Sequence, residues 1–396
     1  MDLSKKLQTI KPSATLQITA MAKALKAEGK DVISFGAGEP DFDTPDFIKD
    51  AAKAALDMGL TKYTDAAGTV MLRAAVAQRL KKEYGLQYNQ DQIVVSNGAK
   101  HSLTNVFQAI IDPGDEVIIP SPYWLSYPVM VRMADGVAVF VKATEEAEFK
   151  ITAKDIEKAI TDKTKAIILN SPSNPCGSVY TKEELKAIAK VCKENEVFIV
   201  SDEIYDELCY DSKPTSIATL DQDTKDITIL VNGVSKSYAM TGWRIGYIAC
   251  DAKIAKIVKA YQSHTASNPN SMAQHASTIA LKSDKKELLE MKAQFDNRRK
   301  KLHELINNTD MLSCHLPKGA FYIMVNIKKA FGKSFESKKI ETSVDFATML
   351  LQSKLVAVVP GSAFGAEGYV RLSYADSIEN ITEGVKRIEA FTKELK

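Results

Sequence analysis

Between residues 92 and 249 the chain alternates short apolar runs with amphipathic stretches, and this alternation restricts the fold more than any other feature. Runs at 92–96, 116–119, 137–141, 166–170, 197–201, 227–231 and 245–249 are near-continuously apolar and read as strands. Helical patterns at 100–111, 124–133 (despite Pro128), 152–160 and 181–194 separate the earlier ones. Strands that are apolar on both faces and spaced by helices require a mostly parallel sheet covered on both sides, an α/β fold. Upstream, a polar arm leads to a helix at 20–27 and a β-like run at 32–35, followed by helices at 46–58 and 70–84. The helix at 46–58 opens on Thr44-Pro45-Asp46, with Thr44 as the expected cap. After residue 283 the character changes to a charged helix at 284–307, a Pro317-Lys-Gly-Ala-Phe-Tyr turn and strand, and shorter pieces to Lys396. A chain of 396 residues exceeds one compact unit. The expected division is an arm and part of a small domain at 1–45, a large domain at 46–283 and the rest of an α+β small domain at 284–396.

The balance of 52 basic against 50 acidic residues, a net +2, offers nothing to nucleic acid or an anionic membrane. No apolar run approaches membrane-spanning length, and residues 1–20 lack a signal-peptide core. Five scattered cysteines without a C-x-x-C pair read as reduced thiols. Five histidines without ligand spacing make a metal unexpected. The expected setting is cytoplasmic.

In open parallel sheets, ligands sit beyond the carboxyl ends of the strands. Polar residues recur there. Asn97-Gly98-Ala99-Lys100 follows the first run and opens a helix, whose free N–H groups form an anion seat. Asn170-Ser-Pro-Ser-Asn174 follows the fourth, Ser201-Asp202-Glu203-Ile204-Tyr205 the fifth, and Lys236 with Arg244 the sixth. A lysine just beyond a buried strand loses hydration, which lowers its pKa and frees the neutral amine to attack a carbonyl. Arg244 offers a planar fork suited to a phosphate. Taken singly, Lys236 reads as a solvated lysine, Asp202 as a helix cap, Tyr205 as a packing ring and Trp124 as a core side chain. Taken jointly, a lysine for an aldehyde, an acid for a pyridinium nitrogen and an arginine with helix-start amides for a phosphate describe pyridoxal 5′-phosphate. Tyr205 and Asn174 suit its phenolic oxygen, and Trp124 offers a face for its ring.

Over nearly its whole length the chain resembles the class I, fold-type I aminotransferases, in particular the bacterial aspartate aminotransferases of subgroup Ib. The motifs are Lys11-Pro-Ser-Ala-Thr15, Ala37-Gly-Glu-Pro-Asp-Phe42, Ser121-Pro-Tyr-Trp124, Ser171-Pro-Ser-Asn174-Pro, Ser201-Asp-Glu-Ile-Tyr205, Ser235-Lys236, Met240-Thr-Gly-Trp-Arg244-Ile-Gly and Val370-Arg371-Leu-Ser-Tyr. The resemblance implies a seven-stranded, mostly parallel sheet in the large domain and a homodimer. It makes Lys236 the Schiff-base lysine and proton shuttle, Asp202 the partner of the pyridine nitrogen, and Asn174 and Tyr205 the partners of the phenolic oxygen. Phosphate contacts are then Gly98, Ala99, Lys100, Ser235 and Arg244, with Tyr63 reaching the partner subunit's site. Arg371 takes the substrate α-carboxylate, with Asn174 and the Gly38 backbone. Lys100, Ser13 and Thr15 serve a distal carboxylate, although Lys100 reads also as a helix-entry surface lysine. Two positions depart from the family: Gly233 stands where a serine is common, leaving a backbone N–H as the contact, and Cys176 stands where threonine is common.

The implied reaction is L-aspartate with 2-oxoglutarate giving oxaloacetate and L-glutamate, by a ping-pong mechanism. Prephenate or aromatic and other amino acids as further substrates stay open, as do the physiological direction and any assembly beyond a dimer. Rivals are a β-lyase or cyclopropane-forming synthase using the same cofactor, an inactive scaffold, and a DNA-binding regulator, which the balanced charge disfavours.

Overall fold

A computed structural model of the chain describes residues 3–8, 10 and 14–396. Helices α1 (Lys5–Gln8) and α2 (Ala14–Ala27) come first, then a two-residue strand β1 (Ile33–Ser34) and helices α3 (Asp46–Asp57) and α4 (Val70–Tyr84). The large sheet is built from β2 (Ile93–Ser96), β3 (Glu116–Ser121), β4 (Val137–Lys142), β5 (Thr164–Asn170), β6 (Phe198–Asp202), β7 (Thr228–Gly233) and β8 (Gly246–Ala249). Its seven strands lie in the order β2-β8-β7-β6-β5-β3-β4, and only β8 runs antiparallel to its neighbours. A parallel return needs a long crossover, usually an α-helix, and only a single 3-10 turn (Thr241–Trp243) separates β7 from β8. The short connection 234–245 therefore stays at the end of the sheet where β5, β6 and β7 also finish.

Alternation along the strands covers both faces. On β5, Ile167 and Leu169 pack with Leu185, Ile188 and Val191 of α8 (Lys182–Glu194). The neighbouring Ala166 and Ile168 pack with Leu103, Val106 and Phe107 of α5 (Ala99–Ile110). Each fully buried Leu, Ile, Val or Phe among them contributes roughly 1.5–3 kcal/mol. A separate core joins α12 (Lys286–Asn307), β9 (Tyr322–Asn326), β14 (Tyr369–Ser373), α13 (Ser343–Lys354) and α14 (Ile378–Lys393). It includes Ile33 and Phe35 from the N-terminal segment, where β1 pairs in parallel with β12 (Val356–Ala357). Tyr205 and Leu208, just past β6, enter the same core, so the large sheet and the second unit meet beside Tyr205.

Three local expectations are corrected. Helix α2 starts at Ala14 rather than 20. Thr44 does not cap α3, whose N-cap is Pro45; its hydroxyl donates to the Ala239 carbonyl (2.6 Å) and accepts from Trp243 Nε1 (3.0 Å). The helix expected at 124–133 is α6 (Tyr127–Met133), because Pro128, which lacks an N–H, is tolerated only in the first turn. That leaves Trp124 in the loop before it. Two helices are absent from the sequence reading: α10 (Ala252–Thr265) packs against α5 and β2, and α11 (Ser271–Lys282) against α3 and α4. Among the described residues no helix is long and apolar enough to cross a membrane, and all five cysteines are free and buried.

Candidate active site

A cavity of about 380 Å³ opens at the carboxyl ends of β5, β6 and β7. Gly38, Ala99, Lys100, Trp124, Asn174, Asp202, Tyr205, Ser235, Lys236, Arg244 and Arg371 all line it. These residues are spread over most of the chain; the order of the large sheet brings most of them together, and the N-terminal segment and β14 add Gly38 and Arg371. Gly98 stands just behind the lining as the N-cap of α5, against Arg244. Tyr63 is not brought in: it is 90% exposed on the loop between α3 and α4. Ser13 lies outside the described residues, as does the side chain of Thr15 on α2.

Lys236 follows β7 by three residues, and its Nζ donates to the Gly38 carbonyl at 2.6 Å. The chain of the lysine is half-buried, and its amine sits inside the cavity. Burial pushes the amine down to about 8; Glu39 and Asp202 oppose the shift, and Arg244 and Arg371 add to it. Asp202 ends β6 and is 3% exposed. Its Oδ2 accepts from the Tyr127 hydroxyl at 2.6 Å and its Oδ1 from the Ile204 N–H at 3.2 Å. Burial pushes this carboxyl up to about 6, while those two donors and Lys236 favour the anion.

Arg371 comes from β14, in the second unit, and is 2% exposed. Its guanidinium donates to Asn174 Oδ1 (3.1 Å) and the Gly36 carbonyl (3.0 Å), and lies 4.5 Å from the Tyr322 ring centroid. Its Nε has no partner. Among the described residues no carboxylate lies within ion-pair distance of it, although a buried guanidinium is costly without an anion. Burial accordingly pulls its pKa below the ordinary arginine value.

At the other end of the cavity α5 begins. Gly98 adopts φ +86°, and a Cβ there would stand 2.3 Å from Arg244 Nη2, so only glycine allows this approach. Gly246 likewise lets the start of α5 rest on β8, since a Cβ would meet the Ala99 nitrogen at 2.2 Å. Arg244 is held by the Thr241 carbonyl (2.8 Å) and the Asn97 carbonyl (3.3 Å). Lys100 reaches out of the first turn of α5, its Nζ 5.0 Å from the Trp124 ring centroid. Partial desolvation, and then Arg244, hold its pKa below the usual value. The expected contact from Gly233 fails: its N–H bonds the Asn232 side chain at 2.7 Å, and the residue pairs with Gly246 inside the sheet.

Eight lining residues were not assigned from sequence, and three of them support assigned ones. Tyr127 supports Asp202, and Tyr322 sits 3.1 Å, oxygen to oxygen, from Tyr205. Asn170 donates to the Asp202 carbonyl (2.9 Å) and accepts from the Asn174 N–H (2.8 Å). Only Asn170 carried a signal, as a polar strand end; the tyrosines sit in stretches that read as helix and strand.

The sequence model for aminotransferase class I and II matches residues 30–388. The chain belongs to that family. Such aminotransferases depend on pyridoxal 5′-phosphate, and so does this one. It is 46% identical over 394 residues to the aspartate aminotransferase of Bacillus subtilis (strain 168), covering 99% of each chain. It is also 46% identical over 396 residues to a probable aspartate/prephenate aminotransferase of Aquifex aeolicus (strain VF5), again covering 99% of each. Among solved structures, the aspartate aminotransferase from Rhizobium meliloti superimposes with a TM-score of 0.97 at 41% identity, covering all of both chains. The Thermus thermophilus aspartate aminotransferase with maleate gives 0.94 at 40% identity, covering 99% of this chain and 100% of that one.

Proposed function

We propose that this aminotransferase moves the amino group of L-aspartate to 2-oxoglutarate, releasing oxaloacetate and L-glutamate in turn. The observation that carries the reading is Arg371, a buried guanidinium without a carboxylate, facing the same cavity as a lysine of lowered pKa. An α-amino acid supplies the missing anion and the amine together. Arg371 binds its α-carboxylate through the planar fork, with Asn174 and the Gly38 backbone alongside. Lys236 holds the cofactor and, once released, carries a proton between the substrate Cα and C4′. When bound, pyridoxal phosphate supplies the electron sink for the pair left at Cα. Asp202, oriented by Tyr127, keeps the ring nitrogen protonated. Tyr205 and Asn174 take the phenolic oxygen, and Trp124 covers the ring face. The backbone N–H groups of Gly98, Ala99 and Lys100, with Ser235 and Arg244, seat the phosphate at the start of α5. The orphaned Arg371 Nε and the cradle that a Cβ at position 98 would fill support this fit.

Lys100, exposed at the mouth, serves a distal carboxylate with Ser13 and Thr15, and the related Thermus enzyme was solved with maleate, a dicarboxylate. The reading takes the protein as a cytoplasmic homodimer with Tyr63 reaching the partner's phosphate. It takes 1–45 and 284–396 as the small domain and 46–283 as the large one, which the β1–β12 pairing supports. A second reading, prephenate as an additional amino acceptor, is favoured by the relatives of that name at equal identity.

The test is the absorption spectrum of the purified protein, titrated separately with L-aspartate, L-glutamate, L-phenylalanine and L-alanine. Bleaching of the cofactor band at the lowest concentrations by the acidic pair supports the proposal. An equal response to phenylalanine overturns the aspartate preference, and no band after added pyridoxal phosphate overturns the role of Lys236. Prephenate added to the bleached enzyme decides the second reading by whether the band returns.

A further inference from the structure

The loop between α3 and α4 carries Gly59, Gly68 and several small polar residues, a composition that favours mobility. Its backbone is nevertheless tied down from below by two fully buried glutamines. Gln274 of α11 donates to Thr64 Oγ1 (3.1 Å) and the Pro269 carbonyl (2.8 Å), and accepts from the Thr69 N–H (2.7 Å). Gln262 of α10 donates to the carbonyls of Ala66 (2.6 Å) and Val95 (2.8 Å), and accepts from Asn105 (2.9 Å). Both have no exposed surface. A buried amide is costly unless its hydrogen bonds are made, so each glutamine holds the loop in one conformation. Three residues earlier on α11, Ser271 donates to the Leu60 carbonyl at 2.6 Å. The first turn of α11 thus grips the chain on both sides of Tyr63, at Leu60 and at Thr64. The ring between these two ties is 90% exposed.

An exposed side chain on a floppy loop loses much of its binding strength to ordering, and a pre-ordered loop avoids that loss. We infer that Gln274, seconded by Gln262, is a positioning residue for cofactor binding in the other subunit: it fixes the loop that presents Tyr63. The inference rests on the reading that Tyr63 reaches the partner's phosphate. The glutamine touches neither cofactor nor substrate, and its effect crosses the subunit boundary.

Hybrid dimers test this, because a merely structural glutamine would act on its own subunit. In the first hybrid one protomer carries Lys236→Ala and Gln274→Met and its partner is unaltered; in the second, Gln274→Met is placed on the protomer that keeps Lys236. The readout is the dissociation constant for pyridoxal phosphate at the Lys236-bearing site, followed by borohydride fixation, which marks only lysine-bound cofactor. The first hybrid is expected to bind about tenfold more weakly, the size of one hydrogen bond to a charged group, and the second to match the unaltered protein. Weakening in the second hybrid, or in neither, overturns the inference. Tyr63→Phe in the same two arrangements separates the failures. Its silence in both, or the absence of a dimer, overturns the reading beneath; a trans effect for Tyr63→Phe without one for Gln274→Met overturns this inference alone. Should Gln274→Met fail to assemble, Thr64→Val cuts the tie from the loop side with α11 intact, and the same outcomes apply.

Discussion

Lys236 and Lys100 share a cavity but differ in what their surroundings ask of them. The amine of Lys236 is displaced from the ordinary lysine range to about 8, with burial as the largest cause. Only the neutral amine attacks an aldehyde, so the rate of pyridoxal phosphate uptake by the cofactor-free protein should rise with pH through about 8 and level off above it. Stopped-flow absorbance measures this; a rise that continues toward the normal lysine range near 10.4 would falsify the desolvated amine. The sign for stability follows from the same shift: the folded state binds fewer protons than the unfolded one between about 8 and the normal value, so this group's contribution rises with pH across that window. Lys100, exposed at the mouth, acts on substrate choice. Lys100→Ala should reduce kcat/KM for aspartate about tenfold and leave alanine nearly unchanged. Equal losses for the two would remove Lys100 from the distal carboxylate. Both lysines were legible in the sequence, because each follows a strand end within a few residues. Tyr127 and Tyr322 were not, because nothing local distinguishes a tyrosine that supports a catalytic group from one that packs.

At the scale of elements, the start of α5 works as an anion seat only because it can lie against β8. Gly246 permits that contact, and a methyl group there would press on the Ala99 nitrogen and the Gly98 carbonyl carbon at 2.2 and 2.4 Å. Both are backbone atoms, which cannot turn aside as a side chain would. Gly246→Ala should therefore displace the helix start and weaken pyridoxal phosphate binding by about tenfold or more, since each hydrogen bond to a charged group is worth roughly 1.5–3 kcal/mol. Absorption titration with circular dichroism as a fold control checks it. Unchanged affinity in a folded variant would mean that the phosphate does not use these amides. The sequence reading placed α5 and its glycine correctly, and assigned Gly233, in the neighbouring strand, a contact that it does not make. Pairing with β8 turns Gly233 into the sheet, and that pairing is not visible along β7 alone.

In the whole molecule, two cores must be held in one arrangement for Arg371 to face Lys236. The segment 36–43 runs between them. Phe42 packs against both cores, and Arg298 of α12 grips Asp41 with two parallel bonds of 2.7 and 2.9 Å while lying 4.9 Å from the Phe42 ring centroid. Gly36 and Gly38 on the same segment offer their carbonyls to Arg371 and Lys236. Arg298→Met should lower the melting temperature by about 2–3 °C, for a loss of roughly 2 kcal/mol, and raise KM for aspartate more than it lowers kcat. Calorimetry and steady-state rates measure the two effects. A lower melting temperature with unchanged KM would show that the strap serves stability alone.

The sequence by itself determined the alternating strands and helices, the sheet they build, and the polar residues at the strand ends, because backbone periodicity and turn chemistry are local properties. Resemblance extended that to Arg371, which no local pattern marks. Tertiary structure decided the rest: the sheet order, the antiparallel β8, the Tyr127 support beneath Asp202, the lone buried guanidinium opposite Lys236 and the glutamines beneath the Tyr63 loop. These depend on which distant segments become neighbours. That choice is made by the packing of whole faces against one another, and the residues on any one segment do not carry it.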